Sequence, residues 1–160
     1  MNIEFEELPE SSRIWIYQCN RTFSEPEQRE IKEALKSFIE AWGTHGQPLK
    51  AGFKMPYNRF IVIGLNQEKT QASGCSIDAS VRFIQELEQK LDLILLDKMN
   101  VTFKQGDFLA YKSLEDFKKM AKEKAINKST IVFNNLVDTV DDYQNFWEVS
   151  AEESWHSRFF

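Results

Sequence analysis

Residues 13–19 read RIWIYQC and residues 24–42 read SEPEQREIKEALKSFIEAW. The first run is short, apolar and rich in Ile, Trp and Tyr, which predicts a strand buried on both faces. In the second, Ser24 and Glu27 stand at capping-box spacing: Ser24 accepts from the first-turn amides and Glu27 reaches back. Behind them Ile31, Leu35, Phe38, Ile39 and Trp42 recur at helical spacing, and Gly43 is the expected stop. A buried strand followed by an amphipathic helix points to helices packed on a sheet.

The same reading extends along the chain. Strands are expected at 49–55 and 57–65, separated by Pro56, with Phe60, Ile61, Val62 and Ile63 giving the second the composition of a central strand. A helix is expected from about Ser76, burying Ile77, Val81, Ile84, Leu87 and Leu91. Residues 100–104 and 107–111 form a predicted hairpin around Gln105 and Gly106. Ser113 and Asp116 cap a third helix with Leu114, Phe117, Ala121 and Ala125 on its apolar side. Residues 130–133 read as a strand, and a last helix from Thr139 places Val140, Tyr143, Phe146 and Trp147 on one face. The order β-α-β-β-α-β-β-α-β-α predicts an α+β two-layer sandwich. Its sheet is mainly antiparallel, its helices lie on one face, and its first six elements follow the ferredoxin-like order.

Composition narrows the class. The 160 residues suit a single globular domain and are 42% hydrophobic, which excludes disorder. The longest apolar run, residues 60–65, falls well short of the roughly 20 residues that cross a bilayer. A net charge of -5 argues against nucleic acid or an acidic membrane surface as partner. The lysines of residues 112–128 alternate with acids as a solvated helix face does. The N-terminus lacks the pattern of a signal peptide, and Cys19 and Cys75 follow no metal or disulfide framework, so a cytoplasmic chain with free thiols is expected. With two histidines and no clustered cysteines, neither a metal nor another cofactor is expected.

No phosphate-binding Gly-x-x-x-x-Gly-Lys-Ser/Thr and no Gly-x-Gly-x-x-Gly occurs. The richest constellation is residues 73–80, SGCSIDAS. A helix opening at Ser76 would set Cys75 at its positive end, where a thiol is activated and an anion is held, with Gly74 admitting a ligand close to the backbone. Read as plain structure, Ser76 is a cap, Asp78 complements the dipole and Cys75 packs. His45, between Gly43 and Gly46 in the loop leaving the first helix, is a candidate base for Cys75, with Asp78 as orienter, provided the helix ends meet. Arg59 is a candidate anchor for a carboxylate or phosphate, or a partner in a strand-end salt bridge. The ending ESWHSRFF (153–160) offers His156, a second candidate base, and Arg158 as candidate ligand contacts. Its aromatics suit docking on its own domain or in a partner's groove.

Several stretches together resemble one family: SRIWIYQ, the W-x-x-H-G loop of Trp42, His45 and Gly46, LKA-x-F, YNRFIVI, SGCSIDASVRFIQELE, MNVTFKQGDF, STIVFNNLV and the closing FWEV with ESWHSRFF. It is a family of uncharacterised bacterial proteins of about this length that often carry the label ABC transporter ATPase. The resemblance implies no activity and no catalytic residues. The label itself requires a Walker lysine, and no glycine here precedes Lys-Ser or Lys-Thr. The expectation is therefore a cytoplasmic domain that binds a small anionic ligand or a protein partner without catalysis. The alternative is a small cysteine-dependent enzyme built on Cys75 and a histidine base.

Overall fold

In the computed structural model, which describes every residue from Met1 to Phe160, contacts cluster into two units. The first holds Met1–Leu96 with Asp138–Asp141, and the second Asp97–Val137 with Asp142–Phe160. No Pro- or Gly-rich linker separates them in the sequence.

The first unit runs β1 (Arg13–Gln18), α1 (Glu25–Ala41), β2 (Gly43–Thr44), β3 (Gln47–Pro48), β4 (Lys50–Lys54), β5 (Phe60–Asn66) and α2 (Gly74–Leu91). As its composition predicts, β5 is central: the sheet order is β1-β5-β4, antiparallel throughout. Ile63 stands opposite Trp15 on one side and Phe53 on the other. These residues, with Ile61 and Leu65, meet Ile31, Leu35 and Ile39 of α1 and Ile84 and Leu87 of α2 in one core. Each such side chain contributes about 1.5–3 kcal/mol by leaving water.

The opposite sheet face is covered by the chain's own beginning. Gly52 and Gly64 are cross-strand partners. A Cβ on Gly52 would lie 2.6 Å from the Ile3 carbonyl oxygen, and one on Gly64 would lie 2.5 Å from Leu8 Cδ1. The bare pair lets residues 3–8 lie flat on the sheet and bury Phe5 and Leu8.

The α+β class with antiparallel sheets and packed helices is the one expected. Five elements also keep the ferredoxin-like plan, in which the two strands joined by α1 are split by the third strand between them. The sixth departs from it: β6 (Asn100–Gln105) enters a second sheet, and the free edge of β1 instead takes a bridge from Arg13 to Thr139. The Ile14 amide donates to the Asp138 carbonyl at 2.9 Å beside that bridge.

The second unit continues with β7 (Phe108–Ser113), α3 (Leu114–Lys122), β8 (Ile131–Phe133), the later part of α4 (Val140–Phe146) and β9 (Glu148–Ser150). Its antiparallel sheet has the order β7-β6-β8-β9. Gln105 faces Phe108, so the hairpin turns on Gly106 and Asp107, and Gly106 takes the φ of +61° that such a turn needs. Ser113 caps α3, accepting from the Asp116 amide at 3.0 Å. The core gathers Val101, Phe103, Phe117, Ala121, Ile126, Val132 and Ala151. The closing aromatics dock on that core as a 3-10 helix over Trp155–Phe159, with the Phe159 and Phe160 rings 5.9 and 6.1 Å from Phe117. No helix in either unit is long and apolar enough to cross a membrane.

Candidate functional site

Two local structures meet in the first unit. After α1 the chain leaves at Trp42 in an extended conformation and makes the tight β2–β3 hairpin, with Thr44 opposite Gln47. The two turn residues are His45 and Gly46, with φ of +49° and +78°. A two-residue hairpin turn of the type found here requires positive φ at both positions; glycine takes it freely, and histidine is among the residues that tolerate it.

The other structure is the start of α2. Its cap is Ser73, three residues earlier than the opening expected at Ser76. Ser73 and Ser76 form a reciprocal box: the Ser76 amide donates to Ser73 Oγ at 3.1 Å, and the Ser73 amide donates to Ser76 Oγ at 2.7 Å. The correction has a simple cause, since serine here performs the back-reach usually assigned to Glu or Gln. Early in the helix the buried positions are consequently Ser76 and Ser80, whereas Ile77 and Val81 are only half-buried.

The two structures are tied by Trp42, whose Nε1 donates to the Ser76 carbonyl at 2.8 Å in a buried bond. Its ring lies 5.3 Å from Phe38 and 6.0 Å from Trp15. Beside that tie lies an open cavity of about 380 Å³. Phe38, Ala41 and Trp42 line it from α1, Thr44 and His45 from the hairpin, and Ser73, Cys75, Ser76 and Ala79 from α2. Its size is at the small end of ligand pockets, roughly 300–1,000 Å³. The amides of Gly74 and Cys75 begin the helix, so they have no acceptor within it, and none is supplied from outside. Thr44 is 8% exposed, and its Oγ1 is buried without a hydrogen-bond partner.

The structure thus places Cys75 and His45 on one cavity, Cys75 exposed in the first turn of α2 and His45 exposed at the hairpin tip. Asp78 is exposed and is not one of the residues that line the cavity. Gly74 is exposed, and a Cβ there would meet no other part of the protein within 4 Å. Ser76 Oγ is engaged in the capping box.

Arg59 reaches back across the end of β1. Its Nη2 donates to the Asn20 carbonyl at 3.0 Å and its Nε to the Cys19 carbonyl at 3.4 Å, so it binds main-chain oxygens between β1 and α1. His156 belongs to the core of the second unit: it is 1% exposed, with Nδ1 2.7 Å from Ser154 Oγ. Burial, with the Arg158 charge adding to it, pulls its pKa down to about 4. It is a neutral packing residue, and sequence patterning alone gave no sign of that. Arg158 is exposed, its guanidinium 5.6 Å above the Trp155 ring. Cys19 is fully buried, and burial pushes its thiol pKa up.

The sequence places Phe38 and Trp42 on the apolar stripe of the first helix, and Trp42 and Thr44 also in the loop that carries His45, without giving Phe38, Trp42 or Thr44 a role in binding; the structure gives all three a cavity face. Their signal in the sequence is Gly-Thr-His-Gly directly after a helix, a weak form of the two-residue hairpin signature. No group of three His, Cys, Asp or Glu is placed to hold a metal ion. Comparison of the chain with protein-family models, curated proteins and solved structures gave no match.

Proposed function

We propose that this is a cytoplasmic small-ligand-binding protein without catalysis of its own, and that its site is the cavity at the start of α2. The observation that carries the reading is the convergence of three elements on that cavity. It combines an apolar wall of Phe38, Ala41, Trp42 and Ala79 with the polar residues Thr44, His45, Ser73 and Cys75. Pockets of this composition are the usual form of a small-molecule site. The free thiols of buried Cys19 and exposed Cys75 support a reducing compartment. The family resemblance adds no activity to the reading. ATP hydrolysis is no part of it, for want of a Walker lysine. A ligand seated here covers Cys75, so protection of that thiol from alkylation is the test.

A second reading is favoured by one observation, the sharing of the cavity by Cys75 and His45. It makes the site a cysteine-dependent acyl-transfer centre with His45 as base. The two readings part at Cys75→Ser. A binding protein keeps its ligand and its thermal midpoint, because Cys75 is exposed. An enzyme loses turnover of an activated ester such as p-nitrophenyl acetate by at least 100-fold, since the nucleophile itself is removed.

A further inference from the structure

Resting on the binding reading, we infer that the cavity takes an uncharged aromatic compound of one or two rings, held by the rings and methyl groups of its wall rather than by an ion pair.

A charge placed in this cavity would meet no counter-charge. No Lys, Arg, Asp or Glu lines it, and the two titratable side chains on the wall, His45 and Cys75, are both exposed to water. The other polar groups of the wall are engaged or out of reach. Ser73 and Ser76 bond to each other in the capping box, and Trp42 Nε1 donates to the Ser76 carbonyl at 2.8 Å. Thr44 Oγ1 is buried beneath the surface, so it does not face the open cavity. Gly74, whose amide opens α2, is not part of the wall. An ion moved from water to such a wall loses hydration with no partner to replace it, whereas a neutral ring loses little.

The apolar part of the wall favours a flat ring. Phe38 is half-buried, and its ring stacks on Phe83 at 4.6 Å and lies 5.3 Å from Trp42. The run of rings continues to Trp15, 6.0 Å from Trp42. A ligand ring set against Phe38 extends that run with the same offset or edge-on contacts. Ala41, the last residue of α1, and Ala79, in the second turn of α2, line the cavity with single methyl groups and so leave it room. The resulting volume of about 380 Å³ suits one or two rings.

The test is an NMR titration of the intact chain at pH 7, followed by amide and indole shifts, with four compounds. They are 3-phenylpropan-1-ol, its cationic and anionic counterparts 3-phenylpropan-1-amine and 3-phenylpropionate, and 3-cyclohexylpropan-1-ol, which keeps the hydroxyl and loses the aromatic ring. The inference predicts shifts at the cavity residues. It predicts binding of the aromatic alcohol at least fivefold tighter than of either ion, and tighter than of the cyclohexyl alcohol. Ala79→Leu, which fills the cavity from α2, is expected to weaken that binding at least tenfold. Ala41→Leu fills it from α1 and should do the same; Ala41 is exposed, so this variant keeps the fold even if the first does not. Equal or tighter binding of an ion overturns the neutral assignment, and equal or tighter binding of the cyclohexyl alcohol overturns the aromatic one; either result leaves a ligand cavity standing. Absence of cavity shifts with all four compounds, or binding that survives both leucine variants, overturns the inference and the binding reading together.

Discussion

Replacing Phe117 by alanine is expected to cost the second unit about 3–5 kcal/mol, the range for truncating a buried aromatic. Phe117 is fully buried and is the ring on which the unit's separate pieces meet. Phe103 of β6 lies 5.2 Å from it, His156 5.6 Å, Phe159 5.9 Å and Phe160 6.1 Å, all in edge-on geometry. Alanine would remove those contacts together and leave a cavity that sheet, helix and closing segment cannot all collapse into. Since domains are stable by only about 5–15 kcal/mol, the loss takes most of the reserve. Urea unfolding, read by near-ultraviolet circular dichroism, measures it. Phe108→Ala is the control, because Phe108 is 79% exposed and its loss should change stability by no more than about 0.5 kcal/mol. A cost below about 1 kcal/mol for Phe117→Ala would mean that the closing aromatics do not rest on it.

The second large effect is a loss of stability in weak acid. His156 titrates at about 4 in the folded chain against 6.5 for the free side chain, because burial disfavours its charged form. The unfolded chain therefore takes up the proton first. Stability is full above the unfolded value, falls as pH drops below about 6.5, and stops falling from this cause near 4. A difference of this size is worth on the order of 3 kcal/mol. Glu27 acts in a lower window. Its bonds to Arg21, at 2.7 Å to each guanidinium nitrogen, hold its pKa at about 2, so its contribution is present above 4.5 and is lost only below that. Chemical denaturation at a series of pH values between 7 and 4 separates the two. His156→Phe should flatten the upper slope even though it lowers the plateau by leaving Ser154 without its partner. A wild-type slope that survives this substitution would assign the titration to another group.

What could be read from the sequence follows from the range of the interactions. Strand β1 and helix α1 were legible because their signals are local: a short apolar run, a capping box, and a helical stripe whose Ile31, Leu35 and Ile39 are all buried. The central place of β5 was legible from four consecutive apolar residues. The destination of β6 was not, because strand pairing between distant segments leaves no mark on either strand alone. The division into two units was hidden for the same reason, as residues 138–141 return to the first after the chain has entered the second. At the site, Cys75, His45 and the neighbourhood of α2's start were found from residue types. Thr44 was not, since an unpartnered hydroxyl exists only in three dimensions. His156 resembled a reactive histidine until its surroundings were visible.

The most direct test of the ligand cavity is the rate of Cys75 alkylation by iodoacetamide in the folded chain at pH 7, resolved from Cys19 by peptide mass. It is measured alone and with 3-phenylpropionate, 3-phenylpropan-1-ol, indole or phenyl phosphate at millimolar concentration. The account predicts that Cys75, exposed on the cavity wall, reacts in the folded chain, and that Cys19, fully buried, reacts only on unfolding. It further predicts that at least one of these compounds slows Cys75 severalfold while leaving the unfolded chain's labelling unchanged. A Cys75 that resists labelling until the chain unfolds, or that reacts at one rate whichever compound is present, would contradict it.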